Sequence, residues 1–157
     1  MIQRRGQDEM KISAKTEYGC VAMLELASQY GVGEPVRIRR IAERHRVPPR
    51  FLVQILLQLK GAGLVTSVRG AAGGYYLAKP PQEVSLGEVM EVVDGSFTGE
   101  GRSCSASPDS PAVKVLLQTW QEVGAVQRRM LDDISLADLA RLVERAKLVE
   151  RAEEQGE

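Results

Sequence analysis

Arg50, Gln54 and Arg69 have residue types suited to reading another molecule, and their settings fit that role. A glutamine amide both donates and accepts, so Gln54 can bond an adenine edge through N6 and N7. Arg50 can reach a guanine or a phosphate, and Val53 beside it can pack on a thymine methyl. Arg69 stands next to Gly70 in a glycine-rich stretch, where a backbone can approach a partner closely. Each type is also common on any solvated surface, so the elements that carry these residues must decide.

Other reactive groups are few. The chain has one histidine, His45, and two cysteines, Cys20 and Cys104. Cys20 falls within an apolar run and is expected in the core. Cys104 lies beside Arg102 in a polar stretch, where exposure and a nearby cation favour thiolate chemistry, or where it is an incidental surface cysteine. His45 is expected to sit exposed on a short helix. No paired acid/base constellation is visible and no phosphate loop with its following Lys, so an enzyme is not expected.

The elements are legible from periodicity. A helix is expected over 14–30, apolar on more than one face and therefore sandwiched between layers. Gly31 and Gly33 end it. A second helix is expected over 36–46, with Ile38, Ile41 and Ala42 inward and Arg37, Arg39, Arg40 and Arg44 outward. Val47-Pro48-Pro49 breaks it and opens a third, about 49–61, whose Leu52, Ile55, Leu56 and Leu59 make an inward stripe. Two short helices joined by a tight turn read as a helix-turn-helix, with Pro49, Arg50, Val53 and Gln54 at the end that would enter the major groove. Residues 64–68 and 75–77 flank Gly70–Gly74 as a β-hairpin, and a hairpin in that place is a wing. The fold class is mainly α with a small β wing.

Beyond the wing, Ser85 and Glu88 suggest a capping box for a helix over 86–93. Residues 94–111 form a Gly/Ser/Pro-rich loop. A long helix over 111–131 exposes a stripe of Val115, Leu116, Trp120, Val123, Val126, Gln127 and Met130. It is the expected dimerisation element, with Trp120 as anchor or as part of the chain's own core. Ser135 starts a last helix. The expected division is a polar tail over 1–9, a DNA-binding unit over 10–80, a short helix and sensor-type loop over 81–110, dimerisation helices over 111–153 and a frayed end over 154–157.

The net charge of zero hides an asymmetry: residues 1–80 hold 13 Lys and Arg against 6 Asp and Glu, residues 81–157 hold 8 against 15. A basic half and an acidic half suit a polyanion-binding face on one side. Lys11, Lys15, Arg37 and Arg39 are expected phosphate contacts, which position a protein without reading sequence. No apolar stretch is long enough for a membrane span and no secretory signal is evident, so a cytoplasmic location is expected. A helix-turn-helix scaffold that binds protein instead of DNA is the rival reading.

From Met10 to Leu139 the chain resembles the Rrf-two family of bacterial winged-helix transcription regulators. The resemblance rests on Met10-Lys11-Ile12-Ser13-Ala14-Lys15, Glu17-Tyr18-Gly19, Phe51-Leu52 with Gln54, Gly63-Leu64-Val65, and above all Ser67-Val68-Arg69-Gly70 with Gly73-Gly74-Tyr75. It implies a homodimer on a palindromic operator, repression as the expected sign, and Arg69 as a minor-groove reader. Relatives with a cluster often carry a carboxylate where this chain has Val53, which points here to an A·T-rich contact. Many relatives bind an iron–sulfur cluster through three loop cysteines, some completed by an acidic residue matching Glu17. Only Cys104 is present in this loop, so a cluster-free, CymR-like member is expected, hearing a protein partner or small metabolite. A redox- or cluster-responsive regulator using Cys104 with Glu17 is the alternative.

Overall fold

Ser13 starts the first helix by accepting the Thr16 N–H on its Oγ at 3.2 Å. The computed structural model describes residues 12–95 and 106–156. Helix α1 spans Ala14–Ser28 and buries Thr16, Gly19, Ala22, Met23, Leu26 and Ala27, which lie on more than one side of it, as the mixed apolar pattern requires. Gly19 lets the fourth helix come close: a Cβ there would lie 2.8 Å from Val93 Cγ2.

Helix α2 (Ile38–His45) is shorter than the periodicity suggests. Val36 is drawn out of it by pairing with Tyr75, through Val36 N–H to Tyr75 O at 2.9 Å and Tyr75 N–H to Val36 O at 2.8 Å. At the other end Arg46 adopts a left-handed conformation, φ 53°, which turns the chain. Helix α3 spans Pro49–Gly61 with Pro49 in its first turn, and its stripe of Leu52, Ile55, Leu56 and Leu59 is fully buried. Strands β1 (Val65–Val68) and β2 (Gly74–Leu77) pair antiparallel, with Val65 opposite Leu77 and Val68 opposite Gly74. Gly74 is required by a close approach, since a Cβ there would lie 2.6 Å from Val36 O.

A short 3-10 turn at Pro81–Glu83, not foreseen from sequence, leads to α4 (Leu86–Asp94). Ser85 caps α4 by accepting the Glu88 N–H at 3.0 Å, but the expected reciprocal half is absent because the Glu88 carboxylate pairs with Lys79 at 3.1 Å. The complete capping box is instead at Ser135 and Asp138, each accepting from the other's N–H at 3.1 Å. Those bonds hold the Asp138 carboxyl below its ordinary pKa. Helices α5 (Pro111–Asp132) and α6 (Leu136–Gln155) complete the chain, and α6 continues through the Ala- and Glu-rich segment expected to fray. The starts of α4 and α6 are tied by Leu86 N–H to Ile134 O at 2.7 Å and Leu136 N–H to Val84 O at 2.9 Å. Arg128 joins α5 to α4 by pairing with Glu91 and with Asp132.

One core forms around α1, which packs against α2, α3, α4, α6 and β2. Its buried charge among the described residues is Glu25, 5% exposed, whose carboxylate meets Arg40 at 3.2 Å, Arg44 at 3.3 Å and His45 Nε2 at 3.0 Å. Burying that charge is tolerable only because α2 delivers two guanidinium groups and an imidazole to it. His45, expected to be merely exposed, is thereby a link between helices. Glu25→Ala should lower the unfolding free energy by about 2–3 kcal/mol, toward the lower end for a broken buried pair because the partners are half in solvent. Glu43→Ala, which breaks the exposed Arg39–Glu43 pair, should cost less than about 0.5 kcal/mol. Urea titration of both variants checks the contrast.

Candidate nucleic-acid interface

The turn between α2 and α3 fixes what α3 can offer. Pro48 is extended and forms the cap, and Phe51 N–H reaches back to Pro48 O at 3.1 Å. With one stripe of α3 committed to the core, Arg50, Val53 and Gln54 are left on the outer side, all exposed. The Arg50 guanidinium lies 5.0 Å from the Phe51 ring centroid, a cation–π contact that steers it, and Phe51 in turn leans on Tyr18 at 6.0 Å. The Gln54 side chain has no partner among the described residues, so its amide is available for an external edge. Leu57 was missed from sequence. It is 57% exposed and stands four residues after Val53, so the two make a small apolar strip beside Gln54. That i, i+4 spacing on the polar side was the signal.

The wing is tied to the rest of the unit by several bonds. The Val36–Tyr75 pair joins it to the strand-like entry of α2, Arg37 donates to Ala71 O at 2.6 Å, and Lys60 donates to Ser67 Oγ at 2.6 Å. Arg69 and Gly70 are exposed, Gly70 has φ 110°, and Arg69 has no partner among the described residues. The expected DNA contacts of the basic half therefore divide. Among the described residues Lys15 and Arg69 have no partner, whereas Arg37 braces the wing and Arg39 is paired with Glu43 at 2.7 Å, which keeps its proton still more tightly. Lys11 lies outside the described residues.

Helix α5 buries only Val113 and Leu131. Val115, Leu116, Val123, Val126 and Met130 are exposed, and Trp120 is 50% exposed, so Trp120 is not part of the core of a single chain. Gln127, on the same stripe, is half-buried. Leu142, Leu148 and Val149 of α6 are uncovered as well.

Cys104 lies outside the described residues. Glu17 is exposed in the first turn of α1, and His45 is committed to Glu25. Among the described residues no group of three His, Cys, Asp or Glu could hold a metal ion, and no helix is long and apolar enough to cross a membrane. Cys20 is half-buried on α1, and burial pushes its thiol up to about 11.

The sequence matches the model of the family described as Rrf2, an iron-dependent transcriptional regulator, over residues 12–142. This chain belongs to the Rrf2 family. It is 34% identical over 131 residues to the HTH-type transcriptional regulator CymR of Bacillus subtilis, covering 83% of this chain and 90% of that one. The solved structure of CymR, the global cysteine regulator of B. subtilis, superposes with a TM-score of 0.71 at 31% identity, covering 85% of this chain and 98% of that one. IscR of T. potens gives a TM-score of 0.71 at 35% identity, covering 90% and 93%. The Rrf2-family chain is thus a DNA-binding transcription regulator and not an enzyme, and its α2–α3 pair with the β1–β2 hairpin is a winged helix-turn-helix.

Within this Rrf2-family chain the Cys20 thiol should be a poor nucleophile. A thiol raised to about 11 from 9.0 holds about a hundredfold less thiolate than a free cysteine at pH 8. Iodoacetamide labelling followed by peptide mass spectrometry should show Cys20 modified at least about fiftyfold more slowly in the native chain than in urea.

Proposed function

We propose that the chain is a cluster-free homodimeric repressor that reads a palindromic, A·T-leaning operator. The observation that supports it best is the outer face of α3. Gln54 is unpartnered there beside exposed Val53, and the wing presenting an unpaired Arg69 is braced to the same unit. Gln54 would bond adenine, Val53 would pack on a thymine methyl, and Arg50 would reach guanine or phosphate. Arg69 beside Gly70 would enter the minor groove, where narrow A·T tracts attract arginine. Pro49 sets the angle of the reading end, and Lys15 with Lys11 would hold phosphates. Arg37 and Arg39 would add to that contact only if their present partners release them.

A half-site supplies limited contact, and two chains double it. The uncovered stripe from Val115 to Met130 supports α5 as the dimer seam, with Trp120 as its anchor. The donor set argues against a cluster. Cys104 and a half-buried neutral thiol on α1 do not make the three thiolates such a site takes, even with Glu17. The signal would then be a protein or small metabolite.

Selection from random duplex DNA should return inverted half-sites rich in A·T near the Val53 contact, and a C·G-rich half-site there would refute the assignment. On the selected operator Gln54→Ala should cost about 1–3 kcal/mol and relax one position, while Lys15→Ala should weaken all sequences alike and shallow the salt slope by about one. Binding that is insensitive to salt would favour the protein-scaffold reading. Purification without oxygen should give colourless, iron-free protein. Trp120→Glu should weaken the dimer at least about thirtyfold in sedimentation equilibrium, and an unchanged association constant would remove α5 from the seam.

A further inference from the structure

A cleft of about 370 Å³ lies between the end of α1, the turn after it and the wing strands, a size within the ~300–1,000 Å³ of small-molecule sites. Its composition is one-sided. Tyr30, Tyr75 and Tyr76 line it together with Glu34, and no basic side chain does. Tyr30 is 46% exposed, and neither it nor Glu34 has a side-chain partner among the described residues. Tyr76 is fixed across the rim by donating its hydroxyl to Gly33 O at 3.1 Å, in a turn that Gly31 and Gly33 shape with φ of 83° and 89°. Aromatic faces carry negative quadrupole potential and attract cations, and a free carboxylate adds to that attraction. Among the described residues neither group has an internal cation to satisfy it.

The geometry points to a binding site for a small organic cation of the alkylammonium class, held by the rings of Tyr30 and Tyr76 and by Glu34; Tyr75, next to Tyr76 on β2, turns its side chain to the other face and packs on the core. The site also touches the reading machinery. Tyr75 is bonded to Val36 through both backbone groups, and the next residue, Arg37, holds the wing tip at Ala71. A ligand seated against Tyr76 therefore bears on the strand that carries the wing, and it alters DNA affinity if it binds the two wing positions unequally. This regulatory part rests on the DNA-binding reading above; the site itself does not.

Calorimetric titration of the full chain with choline and with 3,3-dimethylbutan-1-ol, its neutral isostere, tests the site without DNA. Choline should bind saturably and the alcohol at least about fivefold more weakly. Glu34→Gln should weaken choline about fivefold and leave the alcohol unchanged. Tyr30→Phe should retain choline binding and Tyr30→Ala should lose it, with circular dichroism confirming that each variant is folded. Equal binding of the two probes, absence of saturable choline binding at millimolar concentration, or indifference to both Glu34→Gln and Tyr30→Ala overturns the site. Titration of the selected operator with and without saturating choline then tests the coupling. A shift in affinity supports it, and an unchanged affinity in a chain that binds choline overturns the coupling alone. Failure to bind any duplex refutes the DNA reading, and the choline titration still decides the site.

Discussion

Helix α1 has apolar residues on more than one side and is satisfied only when it is surrounded. That constraint organises the rest of the molecule. α3 and α4 close on its small-residue side at Gly19, α6 packs along it, and β2 covers part of what remains. The charge this enclosure traps among the described residues, Glu25, then dictates the orientation of α2, because Arg40 and Arg44 on one side of that helix neutralise it and His45 lies beside them against the same carboxylate. With α2 oriented, the Arg46–Pro49 turn sets α3, and with the Leu52–Leu59 stripe inward, Gln54 faces outward. A reading face on α3 is a by-product of burying α1.

Charge in the basic half is used in two ways. Arg40 and Arg44 serve the interior, and Arg37 serves the wing. Lys15 and Arg69 have no partner among the described residues. Counting arginines thus overstates the charge available to a polyanion, even though the surplus in residues 1–80 is genuine. The acidic half uses its charges on helix ends and helix–helix links, such as Asp138 at the α6 cap and Arg128 with Glu91 and Asp132 between α5 and α4.

The helices and wing were legible because their signals are local: the i, i+3, i+4 stripe of α3, the proline pair, and the glycines between two β-prone runs. The exposed Trp120 stripe was legible for the same reason, although whether one chain would cover it was not. Partnerships between distant residues were not visible. Nothing in the sequence pairs Glu25 with His45, Val36 with Tyr75, or Glu88 with Lys79, and these bonds shortened α2, joined the wing to it and broke the capping box expected at Ser85. Leu57 was hidden by composition, because a leucine next to Leu56 in an apolar helix reads as one more core residue.

The Val36–Tyr75 bonds close a loop that contains all of α2, α3 and β1. A contact between residues so far apart in sequence forms only after much of the chain is ordered, because the entropy of closing the loop must be met first. Once formed, it denies the hairpin and the helix pair separate unfolding routes: fraying one opens the other. Helix α3 is therefore kept in fixed register with the wing, and it is chain topology that sets the spacing between them.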